Sequence, residues 1–369
     1  MKRIILSGGG TGGHIYPAIT IARELQKQED VEILFVGTAN GMESRIVPQE
    51  GYSFESLPAA GLKRKLTPAN VKSIFKSMAG LLKAEKILRS FKPDVVIGTG
   101  GYVCGPILLA AALHHIPTII QEQNVIPGIT NKILSHFVDR IALGYKEAEK
   151  RFPVPGKCIY TGNPIRPDII LAEREKSRRK LGIFPDTFMI LITGGSRGAK
   201  SINEAMIGVH KYFQETDNLC LYHVTGTLSY DNVLQSMKEQ SIPERGVSRI
   251  VKYEYDMPSA LAAADLIICR AGAISLAEIA ARGIPSILIP YPYAAEDHQT
   301  YNARAFVASG AAKMIVDKFL TDKELIQDID DLRKHKEILS AMSEAAEKMG
   351  RIHAGRDIAG LALKLAERK

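Results

Sequence analysis

The sequence predicts an α/β protein made of two doubly wound parallel sheets, each covered by helices. Three observations carry that prediction. Short β-branched runs alternate with longer amphipathic segments, as in strands joined by crossover helices. The chain has 369 residues, more than one ordinary core organises. Its two halves also repeat one pattern. Asp94-Val95-Val96-Ile97-Gly98 passes through a glycine turn and a helix to Ile116-Pro117-Thr118-Ile119-Ile120. Asp265-Leu266-Ile267-Ile268-Cys269 passes through Ala271-Gly272-Ala273 and a helix to Ile284-Pro285-Ser286-Ile287-Leu288-Ile289.

In the first half the apolar runs predict strands at Arg3–Ser7, Val31–Val36, Val95–Gly98, Thr118–Gln121 and Arg140–Leu143. In the second half they fall at Met189–Thr193, Cys220–Val224, Leu266–Cys269 and Ser286–Ile289. Between the halves, Gly162-Asn163-Pro164-Ile165-Arg166-Pro167 is a stiff, non-helical connector followed by a charged segment. The expected domains are therefore 1–163 and 164–351, with a last helix in 352–369 crossing back to the first. Leu320-Thr321-Asp322-Lys323-Glu324 has the spacing of a capping box and predicts a helix start.

Composition excludes several classes. At 46% hydrophobic and 24% charged, the chain is that of a globular protein rather than a disordered one. The N-terminal Ile4-Ile5-Leu6 run is too short for a signal peptide, and the longest apolar stretch is broken by His114, His115 and Pro117. A soluble or peripheral protein is expected. Cys104, Cys158, Cys220 and Cys269 form no CxxC pair, which argues against a zinc site or disulfide framework and fits a reducing compartment. A net charge of +8 admits nucleic acid, an anionic membrane or a phosphorylated substrate, and its distribution must choose.

Ligands of open α/β sheets bind where glycine turns leave the carboxyl ends of strands. Four such turns occur, at Gly8–Gly13, Gly98–Gly101, Gly194–Gly198 and Ala271–Ala273. Each offers backbone N–H groups and a helix N-terminus, worth roughly 0.3–1 kcal/mol to an anion and about 2 when partly buried. Gly8, Gly10 and Gly13 satisfy the dinucleotide fingerprint, but the second strand ends Phe35-Val36-Gly37-Thr38-Ala39-Asn40 without the carboxylate that would bind a ribose. No nicotinamide or other cofactor is expected. His14 follows Gly13 directly. At a helix start its neutral form is favoured, which suits a general base activating a hydroxyl. Glu122 competes with it for that role. Asp328-Ile329-Asp330 spells a metal-binding DxD string but falls inside the capped late helix, so no metal is expected.

Read together, the motifs resemble the MurG family of peptidoglycan glycosyltransferases. The resemblance runs through Gly8-Gly9-Gly10-Thr11-Gly12-Gly13-His14-Ile15-Tyr16-Pro17-Ala18, Gln121-Glu122-Gln123-Asn124 with Thr130-Asn131-Lys132, and Gly162-Asn163-Pro164-Ile165-Arg166. It continues through Gly194-Gly195-Ser196-Arg197-Gly198-Ala199, Cys269-Arg270-Ala271-Gly272-Ala273 to Ser275 and Glu278, and Asp297-His298-Gln299 with Asn302. It implies a GT-B fold, two Rossmann-like domains facing across a cleft. It also implies metal-independent, inverting transfer of N-acetylglucosamine from UDP-N-acetylglucosamine to lipid I, which makes lipid II. Another GT-B enzyme on UDP-sugars, an epimerase or a transferase with a different acceptor, is the alternative.

The same resemblance implies site residues. In the second domain Ser196 would meet the nucleotide, Ala273, Ile274 and Ser275 the diphosphate, Glu278 the ribose, and His298 and Gln299 the sugar. Thr11, Gly12, Gly13 and Asn124 of the first domain, with Arg166 from the connector, would complete the donor site. Gly10, Gly100, Gly101 and Tyr102 are expected at the acceptor diphosphate. This chain has Gln121 where some relatives have His, and Asp297-His298-Gln299 where some have a Gln pair, so His298 and Gln299 stay alternatives for reading the sugar.

Between Gly61 and Lys92 nine basic residues face Glu85 alone. On a helix, Lys72, Lys76, Lys83 and Lys86 fall within a band of roughly 80°, with Phe75 and Leu82 at its border and Ile74, Met78 and Leu81 farther round, toward a core. Each cation beside an anionic leaflet is worth about 1 kcal/mol. This stripe is expected to hold the protein at the cytoplasmic face of a bacterial membrane. No aromatic-rich strand accompanies it, so nucleic acid is not the expected partner.

Overall fold

The computed structural model describes residues 1–59, 68–244 and 246–367, with the side chains of 68–77 outside the description. It divides into two compact units, Met1–Arg166 with Arg351–Lys369, and Pro167–Gly350.

Unit 1 holds seven parallel strands: β1 (Lys2–Gly8), β2 (Val31–Gly37), β3 (Ser53–Ser56), β4 (Val95–Gly100), β5 (Thr118–Glu122), β6 (Arg140–Leu143) and β7 (Cys158–Tyr160). Their order is β3-β2-β1-β4-β5-β6-β7, so the chain reverses direction across the sheet between β1 and β4. Alternation along β1 makes the sheet two-sided. Ile4 and Leu6 pack into a core with Ile15, Ile19 and Ala22 of the helix Gly12–Gln28 and Ile358, Ala359 and Ala362 of the helix Ala354–Ala366. Ile5 enters the opposite core with Val96, Ile107 and Leu108, under the helices Pro68–Phe91 and Cys104–Leu113. The C-terminal helix thus completes the first unit's core.

Unit 2 holds six parallel strands: β8 (Phe188–Thr193), β9 (Leu219–Val224), β10 (Ser248–Val251), β11 (Leu266–Cys269), β12 (Ser286–Leu288) and β13 (Ala312–Met314). Their order, β10-β9-β8-β11-β12-β13, places the reversal between β8 and β11. Ile190 and Ile192 pack against Ile202, Met206 and Val209 of the helix Lys200–Phe213 and against Leu325, Ile329 and Leu332 of the helix Asp322–Lys334. That last helix starts at Thr321, whose hydroxyl accepts from the Glu324 N–H at 3.2 Å. Asp328 lies in an ion pair with Lys313, and Asp330 in one with Lys334. All four cysteines are free. Among the described residues no helix is long and apolar enough to cross a membrane.

Candidate active site

At the strand reversal of unit 1 two glycine turns pack backbone against backbone. Gly8 pairs with Gly100 across a register shift, and the Gly9 N–H donates to the Gly100 carbonyl. A side chain would break this contact. A Cβ on Gly8 would meet the Thr99 hydroxyl at 2.1 Å, and one on Gly101 the Gly9 carbonyl at 2.5 Å. Gly100 has φ +113° and faces the imidazole of His14, whose Nδ1 would lie 2.5 Å from a Cβ there. Glycine is needed here for space and for conformation alike.

A carboxylate also sits beneath the first turn. Glu43 is buried and accepts from the Gly10 N–H at 3.1 Å, the Thr38 N–H at 3.0 Å and the Thr38 hydroxyl at 2.7 Å. Burial pushes its pKa up, but these hydrogen bonds outweigh burial and hold it below the ordinary value. The N–H of Gly10, a residue expected at an acceptor diphosphate, thus serves Glu43. Gly12 and Gly13, in the first turn of their helix, have no helical partners for their N–H groups. Thr11 is the exposed residue before that helix, with no side-chain capping bond. On the second turn, Gly101 is half-buried and Tyr102 exposed at the start of the helix Cys104–Leu113.

His14 is half-buried, and its Nδ1 lies 3.0 Å from the Thr99 carbonyl and 3.2 Å from Gln123 Oε1. A main-chain carbonyl only accepts, so Nδ1 carries a proton, and in the neutral ring Nε2 then holds the lone pair. That is the tautomer a general base needs. Glu122 is the other candidate base. It is 2% exposed, and its carboxylate accepts from the Asn124 N–H at 3.0 Å, Asn124 Nδ2 at 3.2 Å, the Gly128 N–H at 3.1 Å and Asn131 Nδ2 at 2.8 Å. These four donors tie it into the loop that carries Asn124. Arg166, the last residue of this segment of unit 1, lies over the Tyr16 ring.

Unit 2 carries a cavity of about 1080 Å³ at the carboxyl ends of β8 and β11. Gly194, Gly195, Arg197 and Gly198 line it from the turn after β8, and Ser275 and Glu278 from the helix Ala273–Ala281. The N–H groups of Ala273, Ile274 and Ser275 open that helix and have no helical partners. Glu278 is buried on the cavity wall one turn inside. Ser196 is exposed and outside the lining, where its neighbour Arg197 stands instead.

The pair at the start of the helix His298–Ser309 divides clearly. Gln299 lines the cavity, and its Oε1 accepts from the N–H groups of Ala271 at 3.1 Å and Tyr291 at 2.9 Å. Two backbone donors fix the amide's orientation, so Nε2 is the group it presents to a ligand. His298 lies outside the lining, with Nδ1 2.6 Å from the Ala295 carbonyl. Arg270 also lines the cavity, but it is braced by Asp317, by Ser201 Oγ at 3.0 Å and by the Ile289 and Pro290 carbonyls. It holds three loops together while its charge is met by Asp317.

Two family models cover most of the chain. The glycosyltransferase family 28 N-terminal domain matches residues 4–143 and the family 28 C-terminal domain residues 189–356. A UDP-N-acetylglucosamine–N-acetylmuramyl-(pentapeptide) pyrophosphoryl-undecaprenol N-acetylglucosamine transferase of Thermoanaerobacter sp. (strain X514) is 47% identical, over 96% of this chain and 98% of its own. The chain belongs to glycosyltransferase family 28. A Desulforamulus reducens protein with the same name is 44% identical over the whole of both chains. Among solved structures, MurG of Acinetobacter baumannii superposes with TM-score 0.80 at 28% identity, over 99% of this chain and 100% of that one. A Listeria monocytogenes structure titled putative UDP-N-acetylglucosamine 2-epimerase, at TM-score 0.73 and 15% identity, shares the GT-B fold.

In this family 28 chain, Thr11, Asn124 and Arg166 belong to unit 1 and the cavity to unit 2. Reading the sequence missed Glu43, Thr99 and Gln123 around the first turns, and Arg197 and Arg270 around the cavity. Arg197 and Arg270 stand inside motifs already singled out. Glu43 had a weaker signal, the glycines Gly37 and Gly41 that make room for it. Of the basic stripe, Lys72, Phe75 and Lys76 lie outside the described side chains. Lys83 and Lys86 are exposed, and Leu82 is 74% exposed. Leu81 packs on the core as expected, but Met78 is 59% exposed and joins the outer face.

Proposed function

We propose that this chain transfers N-acetylglucosamine from UDP-N-acetylglucosamine to the muramyl sugar of a polyprenyl-diphosphate-linked acceptor, lipid I. The observation that carries the reading is the tautomer of His14, a lone pair on Nε2 beside two glycine turns, in a chain of this family. The acceptor hydroxyl attacks the anomeric carbon, the carbon–oxygen bond to the diphosphate breaks, and UDP leaves with the bonding electrons. The hydroxyl proton passes to His14 Nε2. A single displacement inverts the anomeric centre. Charge growing on the diphosphate is met by the N–H groups of Ala273, Ile274 and Ser275, worth roughly 0.3–1 kcal/mol for the helix end and about 2 when partly buried. Arg197 adds a cation, Glu278 accepts from the ribose hydroxyls, and Gln299 Nε2 donates to the sugar. The turn at Gly100, Gly101 and Tyr102, with the Gly12 and Gly13 N–H groups, takes the acceptor diphosphate.

Attachment to the cytoplasmic face of the membrane is part of the same reading. Leu82 and Met78 supply apolar contact, and Lys83 and Lys86 cations for anionic lipid. The test is transfer of labelled N-acetylglucosamine from its UDP donor to a lipid I analogue with EDTA present. Product establishes donor, acceptor and independence of divalent metal together. A folded protein that binds UDP and yields no product, or that converts the donor to its 2-epimer, refutes the reading.

A further inference from the structure

Behind His14 lies a set of buried amides that the transfer reaction does not itself use. Gln121, Gln123, Asn163 and Thr99 are each 3% exposed or less. Their orientations follow from main-chain carbonyls, which only accept. Asn163 Nδ2 donates to the Gln123 carbonyl at 3.0 Å, so Asn163 Oδ1 is free to accept and takes a hydrogen bond from Gln121 Nε2 at 2.9 Å. Gln121 Oε1 then accepts from Gln123 Nε2, which also donates to the Thr99 carbonyl. Gln123 Oε1 is left as an acceptor, and it faces His14 Nδ1. Every amide in the chain has one consistent orientation, and the last of them points an oxygen at the imidazole.

We propose that Gln123, oriented by Gln121 and Asn163, is the positioning residue that fixes the tautomer and ring orientation of His14. The proposal rests on His14 acting as the base. The Thr99 carbonyl accepts from Nδ1 at 3.0 Å. Gln123 Oε1, 3.2 Å from the same atom, is a second acceptor for that proton and ties the ring to the amide relay. Asn163 ends the relay in the connector leaving unit 1, and its side chain fills the space a Cβ on Gly144 would need, 2.2 Å away. Buried amides in a complete network resist reorientation, since turning one strands its neighbours. The arrangement is that of a ligand histidine oriented by a second group, here turned to a base.

The experiment measures kcat/KM against pH for the wild type, Gln123→Ala, Gln123→Glu and Asn163→Ala, with UDP binding and far-UV circular dichroism as checks of folding. Wild-type turnover first establishes the base reading; its absence removes that reading and this proposal with it. Gln123→Glu sets a carboxylate beside Nδ1–H, stabilises the imidazolium, and is expected to move the acidic limb up by about one to two pH units. Gln123→Ala is expected to lower kcat about 10- to 100-fold with UDP affinity retained. Asn163→Ala should do the same more weakly. A nitrogen-correlated spectrum of histidine-labelled protein, assigned with His14→Gln, reads the tautomer without turnover. The wild type should show Nδ1 protonated and Gln123→Ala a mixture. An unmoved limb in Gln123→Glu, or wild-type kcat and an unchanged tautomer in Gln123→Ala, would assign positioning to Thr99 alone and overturn the proposal.

Discussion

Acidification should destabilise unit 2 through two buried histidines before Asp256 and Asp331 lose their contribution. His210 and His223 are fully buried and linked in one chain of hydrogen bonds. Asn203 Nδ2 donates to the Thr225 carbonyl at 2.9 Å, so Asn203 Oδ1 accepts from His223 Nε2 at 2.9 Å. His223 Nδ1 then accepts from His210 Nε2 at 3.2 Å, and His210 Nδ1 accepts from the Ser248 hydroxyl at 2.8 Å. Each nitrogen has a role only while both rings are neutral. Burial holds His210 down at about 4, and burial followed by the neighbouring His210 holds His223 well below its ordinary value.

The sign follows from proton binding. Between pH 6.5 and about 4 the unfolded chain protonates these rings and the folded chain does not, so stability falls as pH falls through that window. At pH 5, His210 alone removes about 2 kcal/mol, and His223 adds to it in the same direction. Asp256 and Asp331, whose pKa values are lowered, start from 3.8 and lose their contribution below it. Against a typical total of about 5–15 kcal/mol the histidine effect is large. Urea titrations at pH 7.5, 6.0 and 5.0 would be read by hydrogen exchange of a peptide covering β9, corrected for intrinsic exchange. His210→Gln keeps a donor toward His223 without titrating. It should be less stable at pH 7.5 but flatter with pH by about 2 kcal/mol. Parallel pH dependence in the two proteins would refute the reasoning.

Three further outcomes are expected. Glu43→Ala strands the Gly10 and Thr38 donors and should cost about 3 kcal/mol in the urea unfolding of unit 1. Gln299→Glu keeps an oxygen for Ala271 and Tyr291 but loses the Nε2 donors, so isothermal titration should show weaker donor binding with the fold intact; unchanged affinity would exclude Gln299 from the sugar. Leu82→Asp with Lys83→Glu and Lys86→Glu should abolish sedimentation with anionic vesicles while leaving UDP binding unchanged, and vesicle binding equal to wild type would remove this face from the membrane.

The interior strands were legible because both their faces are buried and their residues run apolar without interruption. The four strands that went unread, β3, β7, β10 and β13, are the four sheet edges. Each has three or four residues, and Ser53-Phe54-Glu55-Ser56 or Ala312-Lys313-Met314 contains no apolar run to notice. Glycine turns were legible for a related reason, since close backbone approach leaves a residue no alternative. Hydrogen-bond partners were not. Glu122 and Glu43 are both glutamates near glycine turns, and nothing in their own segments says that one closes a loop and the other fills a turn. Only the fold brings Asn131 to the first and Gly10 to the second. The different surroundings of His298 and Gln299 likewise depend on two backbone N–H groups from separate loops.

The two units repeat one architecture yet treat the turn after the first strand differently, and this difference carries the division of labour. After β1, Glu43 takes the Gly10 N–H and packs against the positions where Gly9, Gly37 and Gly41 would carry side chains. A buried carboxylate already occupies the underside of that turn. After β8, no carboxylate among the described residues fills the corresponding space. Gly195 has φ +87° with open space where its Cβ would be, and the cavity continues to the first turn of the helix Ala273–Ala281. Asp317, an acid on the cavity wall, is held by Arg270 and Ser201. A similar glycine signal thus yields a packed turn beside His14 in one unit and an open turn on the cavity wall in the other. What separates them is a single buried carboxylate contributed from outside the motif.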